Sequence, residues 1–213
     1  MNVILFGPPG AGKGTQSALM VEKLNMAHIS TGDLFRENMK NDTPLGIKAK
    51  QYVEKGELVP DEVTIGMVED ALKKLDGKPF ILDGFPRNVP QAEALKDLME
   101  SNKMSIEKAI FFEVPREVLL GRLTGRRVCK NCGATYHIEF KPTKTEGICD
   151  SCGSDQVVQR KDDAEDVIAT RLDAYDNSTA PLKEYFQNTG QFVAINGLGS
   201  GDEVFAGISN ILQ

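Results

Sequence analysis

The chain has 213 residues, of which 40% are hydrophobic and 26% are charged. These values suit one globular unit with a small insertion, and they exclude a disordered or a fibrous chain. Acidic residues (31) outnumber basic ones (25), and the net charge of −6 disfavours general binding to nucleic acid or to anionic lipid. Because the apolar runs are too short to cross a bilayer and no basic segment precedes the first one, we expect a cytoplasmic protein without a membrane partner.

The apolar pattern predicts strands that alternate with helices along most of the chain. A β-rich run at 3–6 leads into a glycine-rich loop and then into helical periodicity at 18–24. Further strands are predicted at 27–29, 80–82, 109–114 and 192–195. Further helices are predicted at 34–41, 45–55, from 60, at 90–101, at 115–123, from 163 with an interruption at Pro181, and at the carboxyl end. Strands separated by helices predict a parallel sheet with right-handed crossovers.

The segment 126–163 interrupts this alternation. It is rich in Cys, Gly, Lys and Thr and contains residues that favour strands. We therefore expect an inserted, β-rich subdomain here.

The loop after the first strand matches the phosphate-binding pattern G-x-x-x-x-G-K, from Gly7 to Lys13. Backbone N–H groups of such a loop surround phosphate oxygens, and the lysine adds a positive charge. Gly14 follows Lys13, so the hydroxyl that usually ligates Mg²⁺ comes one position late, at Thr15. A dinucleotide-binding fingerprint is the weaker alternative, because Thr15 stands where its third glycine is required.

Four cysteines form two C-x2-C pairs separated by sixteen residues: Cys129, Cys132, Cys149 and Cys152. This spacing predicts a structural Zn²⁺ site, in which four thiolates leave no coordination position for catalysis. Paired disulfides are the alternative, disfavoured because no export signal is evident. His137 is a further candidate ligand, for which we expect a surface or capping role instead. Small four-cysteine modules also occur in nucleic-acid-binding proteins, so a zinc-bearing NTPase of that kind remains a second hypothesis.

Four segments, in order along the chain, resemble the motifs of adenylate kinases. They are the loop at 7–16, Ser30-Thr31-Gly32-Asp33, Asp83-Gly84-Phe85-Pro86-Arg87 and Gly125-Arg126-Arg127. The resemblance is to the long form with a zinc-bearing lid and covers essentially the whole chain. It implies the α/β fold of P-loop nucleoside monophosphate kinases, with a five-stranded parallel sheet flanked by helices. The implied units are a core (1–29, 60–125 and 164–213), a helical AMP-binding insertion (30–59) and a small β-rich zinc lid (126–163).

The resemblance also implies an activity: reversible phosphoryl transfer from Mg·ATP to AMP, giving two ADP, by a monomer that serves adenine nucleotide homeostasis. Mg²⁺ would accompany ATP, and Zn²⁺ would be structural. An acceptor phosphate is already largely ionised at neutral pH, so the transfer needs no general base. A nucleoside monophosphate kinase with another acceptor base is the remaining alternative.

The site residues follow from the same resemblance. Residues expected to stabilise the transferred group are Lys13, Arg87, Arg122, Arg126, Arg160 and Arg171. Residues expected to bind ATP are Gly10, Ala11, Gly12, Lys13, Gly14, Thr15, Arg122, Arg126, Thr135, Tyr136 and Gly199. Residues expected to bind AMP are Thr31, Arg36, Glu57, Leu58, Val59, Gly84, Phe85, Pro86, Arg87, Gln91, Arg160 and Arg171. Asp83 is expected to hold Mg²⁺ through water.

Residue chemistry supports these assignments. Arginine is a planar fork that binds phosphate with two parallel hydrogen bonds, and seven of the eight arginines, all but Arg116, lie in or beside the motifs. The Gln91 amide offers a donor and an acceptor together, which suits the N1 and N6 atoms of adenine, whereas guanine presents the opposite pattern. His28 is expected only to pack beside its strand.

Overall fold

The structure, a computed structural model, describes residues 1–75 and 77–213. Its strands are β1 Val3–Phe6, β2 Ala27–Ser30, β3 Phe80–Asp83, β4 Lys108–Glu113, β5 Arg126–Cys129, β6 Thr135–His137, β7 Val157–Val158 and β8 Phe192–Asn196. Its α-helices are α1 Lys13–Leu24, α2 Thr31–Lys40, α3 Pro44–Val53, α4 Asp61–Lys73, α5 Val89–Ser101, α6 Arg116–Thr124, α7 Glu165–Ala174, α8 Leu182–Asn188 and α9 Gly201–Ile211. None of the helices in these residues is long and apolar enough to span a membrane.

The central sheet of the described residues has five strands in the order β2-β3-β1-β4-β8, all of them parallel. This confirms the predicted sheet. β1 lies in the middle, and its register pairs Leu5 with Asp83 at the end of β3. The loop after β1 therefore leaves the sheet at its carboxyl edge, which is where parallel sheets of this kind bind their ligands.

Helices cover both faces of this sheet, as a parallel sheet requires. Val3 and Leu5 of β1 pack into one apolar core with residues of α1, α6, α7 and α9. Ile4 and Phe6 pack into a second core with residues of α4, α5 and α8. The alternation follows the two-residue period of a strand, and it buries all four side chains to 3% exposure or less. Both cores thus hold β1, and with it the loop that follows.

Helices α2 and α3 connect β2 to α4. α2 begins at Thr31, before the predicted start at residue 34, because the Ser30 side chain caps it by accepting the Asp33 N–H at 3.2 Å. α3 lies so close to α2 that a Cβ built on Gly46 would stand 2.1 Å from the Asn38 carbonyl oxygen. A small core supports this pair of helices: Phe35, Ala49 and Val59.

A second sheet in the described residues lies between α6 and α7. It is antiparallel, with the order β6-β5-β7, and falls within the segment 126–163. Its buried side chains are those of Cys129, Tyr136 and Cys149. Since this cluster is far too small to act as a folding core, another interaction must hold the segment together.

The helical stretch after this second sheet changes geometry earlier than predicted. α7 ends at Ala174, and a π-helical turn, Tyr175–Thr179, replaces the α-helix ahead of Pro181. A proline ring has no N–H for the carbonyl four residues back and clashes with it, so an α-helix cannot continue regularly up to this position. The wider turn is closed by the Ala180 N–H, which donates to the Tyr175 carbonyl at 2.8 Å.

Two glycines at helix interiors provide a test of the α2–α3 packing. We expect Gly46→Ala to lower the free energy of unfolding by about 1–3 kcal/mol, because the new methyl group must push against the main chain of α2. Gly66→Ala on α4 is the matched control: nothing lies within 4 Å of its added Cβ, so helix propensity should raise stability by about 0.5–1 kcal/mol. Urea unfolding of both variants measures the difference, and equal shifts would contradict the close approach.

Candidate active site

The loop between β1 and α1 has the geometry of a phosphate site. Gly10 and Gly12 have φ angles of 85° and 99°, which residues with a Cβ rarely adopt. Gly12 is the N-cap of α1 and has no side chain to cap the first helical N–H groups. Those groups belong to Lys13, Gly14 and Thr15, and a helix start of this kind binds anions.

The Lys13 ammonium folds back over this loop. Its Nζ donates to the Gly7 carbonyl at 2.7 Å and to the Pro8 carbonyl at 3.1 Å. Burial lowers the pKa of Lys13 to about 8, with Asp83 opposing the shift and Arg87 adding to it. A phosphate beside Lys13 would favour the charged form again.

Asp83 is the last residue of β3 and lies beside the loop. It is paired with His28, which was predicted only to pack beside its strand. The His28 Nε2 lies 3.5 Å from the Asp83 Oδ2. Burial alone would raise the pKa of Asp83, but the His28 hydrogen bond and the Lys13 charge outweigh it and hold the pKa below its ordinary value. The prediction for His28 was therefore incomplete. The parallel register pairs Ser30 with Asp83, and His28, two residues before Ser30 on the same face of the sheet, reaches the carboxylate.

Arg87 is fixed at two points. Its Nε donates to the Gly84 carbonyl at 2.8 Å, and the Thr179 hydroxyl of the π-helical turn donates to the Arg87 carbonyl at 2.8 Å. Burial and the nearby Arg171 lower the pKa of Arg87 to about 10. The guanidinium thus remains charged at neutral pH, although its burial and the nearby Arg171 disfavour the charged form.

Arg160 lies in the same positive region. Burial, together with Arg36 and Arg126, lowers the pKa of Arg160 to about 10. Its buried Nε has no hydrogen-bond partner within the described part of the chain. Buried donors without a partner are rare in folded proteins, and here an anionic ligand would supply the missing acceptor. Arg36 itself is bonded to Asp33, with its terminal nitrogen 2.6 Å from Oδ1.

Two carboxylates that the sequence analysis did not single out orient this arginine group. Asp163 is fully buried, and its two oxygens accept from the Arg126 Nε at 2.8 Å and from an Arg171 terminal nitrogen at 2.9 Å. Asp162 lies 3.0 Å from the same Arg171 nitrogen. The run Arg-Lys-Asp-Asp at 160–163 was the signal available in the sequence. It places both acids directly beside a predicted phosphate-binding arginine.

A cleft beside α2 and α3 brings together many residues that were predicted to bind AMP. Its lining includes Arg36, Glu57, Leu58, Val59, Arg87, Gln91 and Arg171. The Thr31 hydroxyl donates to the Gly84 carbonyl at 2.9 Å, and the Phe85–Pro86 peptide that follows is cis. The Gln91 amide is bonded on both sides, to the Arg87 main chain and to Asp61, a residue not predicted for the site.

The other predicted ATP residues lie in three places. Gly199 belongs to the turn before α9, and in the same turn a Cβ on Gly197 would stand 3.3 Å from the Ala11 carbonyl, so this turn adjoins the phosphate loop. Arg122, on α6, has its pKa lowered by partial burial. Thr135 is exposed on β6. Tyr136 is 5% exposed and its hydroxyl lies 3.2 Å from the Cys149 Sγ, so a nucleotide could contact only its main chain.

The four cysteines meet at one point. Their Sγ atoms all lie within 4.8 Å of one another, with Cys129 to Cys152 at 3.6 Å and Cys132 to Cys149 at 3.5 Å. Four sulfurs around Zn²⁺ at about 2.3 Å would lie about 3.8 Å apart, so the cluster fits the ion. A donor set of four thiolates is that of a structural zinc site and leaves no room for substrate.

The two cysteine pairs also have the same turn geometry. The N–H groups of Gly133 and Gly153 donate to the carbonyls of Cys129 and Cys149, at 2.9 and 2.8 Å. The Tyr136 hydroxyl lowers the pKa of Cys149 to about 6, whereas burial and the neighbouring thiols raise the pKa of Cys132 to about 12. A bound metal would favour the thiolate of both. His137 caps the chain as predicted, since its Nδ1 accepts the N–H groups of the next turn.

The fold and this geometry together define a class of protein. A phosphate loop at the centre of a five-stranded parallel sheet faces a cleft lined by arginines, as in the P-loop nucleoside monophosphate kinases. The family model for adenylate kinase matches residues 5–191.

Curated relatives agree with this match. The chain is 53% identical over 214 residues to the adenylate kinase of Carboxydothermus hydrogenoformans, covering 100% of both chains. It is 54% identical over 213 residues to that of Clostridium acetobutylicum, covering 100% of this chain and 99% of the other. It is 53% identical over 213 residues to that of Clostridium tetani, covering 100% and 98%. The chain belongs to the adenylate kinase family, which favours the main interpretation over both alternatives.

The lowered pKa of Lys13 predicts proton uptake when ATP binds. At pH 8.5 a group with a pKa of about 8 is mostly neutral in the free protein, and the ATP phosphates should raise its pKa and recharge it. We expect binding to take up more than half a proton at pH 8.5 and very little at pH 7, where Lys13 is already charged. Calorimetry in two buffers of different ionisation enthalpy measures this number. An equal proton uptake at both pH values, or its persistence in Lys13→Met, would contradict the assignment.

Proposed function

We propose that this protein catalyses reversible phosphoryl transfer from Mg·ATP to AMP, giving two ADP. The observation that carries the proposal is that Lys13 of the phosphate loop lies close enough to Arg87, Arg126 and Arg171 for their charges to lower its pKa. A buried set of cations that outnumbers its carboxylates is costly to maintain unless a polyanion binds there. Two nucleotides facing each other through their phosphates are such a polyanion.

Positioning and charge supply most of the catalysis in this proposal. The transferred group and its flanking oxygens carry negative charge that must be held in line. Lys13 and the loop N–H groups bind the ATP phosphates, together with Arg122 and Arg126. Arg160 and Arg171 bind AMP and stabilise the transferred group. The acceptor phosphate attacks in its ionised form, so no carboxylate acts as a base.

The AMP side is assigned to the cleft beside α2 and α3. Arg36 and Arg87 bind the AMP phosphate, and Arg36 exchanges its Asp33 partner for it. The main chain at 57–59 and the Gln91 amide contact the adenine. This assignment is supported by the depth of Gln91, which is 1% exposed and so can contact a base without competing water.

Adenylate kinases use Mg²⁺ with ATP, and Asp83 is the residue that would hold it through water. The lowered pKa of this carboxyl keeps it ionised and able to bind a cation at neutral pH. When bound, Mg²⁺ neutralises part of the phosphate charge. The residue after Lys13 has no hydroxyl, which leaves Asp83 as the nearest candidate at the end of a neighbouring strand.

The segments 30–59 and 126–163 are proposed as the AMP-binding insertion and the lid on a core of the remaining residues. By closing over the nucleotides they would exclude water, which would otherwise accept the phosphoryl group. Lys161 lies 3.1 Å from Glu54, so the end of the lid already touches the insertion.

We further propose a cytoplasmic monomer without nucleic acid or membrane partners, since all the assigned residues belong to one chain and the net charge is −6.

The decisive experiment is a coupled assay of ADP formation from ATP with AMP, GMP, CMP and UMP in turn. We expect AMP to be strongly preferred. A preference for another monophosphate would identify a different kinase of the same fold, and no transfer to any of them would overturn the proposal.

The assignment of two catalytic residues is tested by substitution. We expect Lys13→Ala and Arg87→Ala each to lower turnover by about a thousandfold or more, because each charge acts mainly on the transition state. Arg116→Ala is the matched control, since Arg116 is exposed and pairs with Asp173 and Asp176 on the surface, and it should remain near the parent rate. Circular dichroism verifies folding, and near-normal turnover in either site variant would remove that residue from the mechanism.

Zinc removal should affect stability more than chemistry. The metal would join the two cysteine pairs across a segment with almost no apolar core. This cross-link would then supply the stability that buried apolar surface supplies in a larger domain. Replacing Cys149 and Cys152 with Ser, or adding a chelator, should lower the thermal midpoint while ADP formation remains measurable below it. If all activity disappeared while circular dichroism and hydrogen exchange of the lid stayed native, the metal would have a chemical role.

A further inference from the structure

The side-chain amide of Gln91 is bonded by two groups of opposite type. Its Oε1 accepts the Arg87 main-chain N–H at 2.8 Å, and its Nε2 donates to the Asp61 Oδ1 at 2.7 Å. A main-chain N–H can only donate, and a carboxylate can only accept. Rotating the amide by 180° would place an NH2 group against the N–H and an oxygen against the carboxylate. Only one orientation of the amide is therefore stable.

Asp61 is itself held in place. Its Oδ1 also accepts from the Asn88 Nδ2 at 2.9 Å, and the Asn88 Oδ1 accepts the Gln91 N–H at 2.9 Å as the N-cap of α5. The side chains of Asp61, Asn88 and Gln91, with the Gln91 main-chain N–H, form a closed ring of hydrogen bonds that joins the start of α4 to the start of α5. The carboxylate thus has a fixed position relative to the Gln91 amide.

The orientation of this amide decides which purine edge it complements. Oε1 keeps one lone pair and Nε2 keeps one hydrogen after the bonds described above. In the observed orientation they can accept from the adenine N6 amino group and donate to N1. Hypoxanthine has an oxygen at position 6 and a hydrogen on N1, so it would need the amide rotated by 180°. The same glutamine could therefore pair with either base, and its hydrogen bonds to Arg87 and Asp61 determine which base it pairs with.

We propose that Asp61 is a positioning residue that sets the base specificity of the acceptor site, by holding the Gln91 amide in the orientation that complements adenine. The inference rests on the proposed function, in which Gln91 contacts the acceptor base. Asp61 acts through Gln91 and is not a catalytic residue.

Kinetics with AMP and IMP as acceptors test this role. IMP differs from AMP only in the oxygen at position 6 and the proton on N1, so it isolates the orientation of the amide from the extra amino group of guanine. Initial rates with Mg·ATP, measured by chromatographic separation of the nucleotides, give kcat and KM for each acceptor. The variants are Asp61→Ala and Asp61→Asn.

The two variants share one effect and differ in another. Both remove a negative charge from the first turn of α4, where it stabilises the helix. Because both hydrogen bonds to Asp61 end on one oxygen, Asn can still accept them and Ala cannot. We expect Asp61→Ala to lower the AMP-to-IMP ratio of kcat/KM by about tenfold or more, mainly through KM, with kcat for AMP within about threefold of the parent. Asp61→Asn should keep the ratio within about threefold of the parent.

Each outcome is decisive. An unchanged ratio in Asp61→Ala, or equal losses in Ala and Asn, would overturn the inference. Should Asp61→Ala fail to fold, Asp61→Ser supplies the same comparison, because serine suits a helix start but its shorter side chain lacks the reach of the carboxylate. If the parent protein does not use AMP, the proposed function fails. If Gln91→Leu lowers the ratio and Asp61→Ala does not, Gln91 contacts the base and only the role of Asp61 is wrong.

Discussion

The structure depends on one electrostatic constraint: the cations buried at the carboxyl edge of the sheet outnumber the carboxylates beside them. Burial lowers the pKa of Lys13 to about 8 and those of Arg87 and Arg160 to about 10, and the neighbouring arginines add to each shift. The free protein therefore keeps charges in a place that disfavours them. The phosphates of two bound nucleotides would relieve this repulsion, and their binding would therefore stabilise the protein.

Charges in such an arrangement repel one another, so they need rigid support. The carboxylates hold the arginine side chains in position, but they do not neutralise all of the positive charge. Asp163, which is fully buried, accepts hydrogen bonds from Arg126 on both of its oxygens and from Arg171 on Oδ1, and it thereby ties the two ends of the segment 126–163 to α7. The π-helical turn before Pro181 contributes through Thr179, which bonds to the main chain of Arg87. An interruption in a helix, which looks like a defect in the sequence, thus supports the site.

The segment 126–163 solves a different problem. A unit of this size cannot bury enough apolar surface to fold by itself, and its buried cluster consists of two cysteines and Tyr136. A metal held by four thiolates would replace that missing core, and the Tyr136 hydroxyl lies 3.2 Å from one of the sulfurs. In the proposed function, Arg126 and Arg160, near the two ends of the segment, bind the nucleotides, so such a metal would also help to hold them in place.

The sequence by itself determined the local motifs and the order of the elements. The phosphate loop is encoded by glycines that adopt positive φ and by the lysine that follows them, and the cysteine cluster is encoded by spacing, so neither needs knowledge of distant residues. The alternation of apolar runs predicted the sheet. The resemblance of four motifs to those of adenylate kinases predicted which arginines belong to the site. Only the tertiary structure decided which side chains support them. Asp61 lies 30 residues from Gln91, Asp163 lies 37 residues from Arg126, and His28 meets Asp83 across two adjacent strands. Such partners are ordinary acids and histidines in the sequence, because their role comes from packing that brings two distant elements together and not from any local pattern.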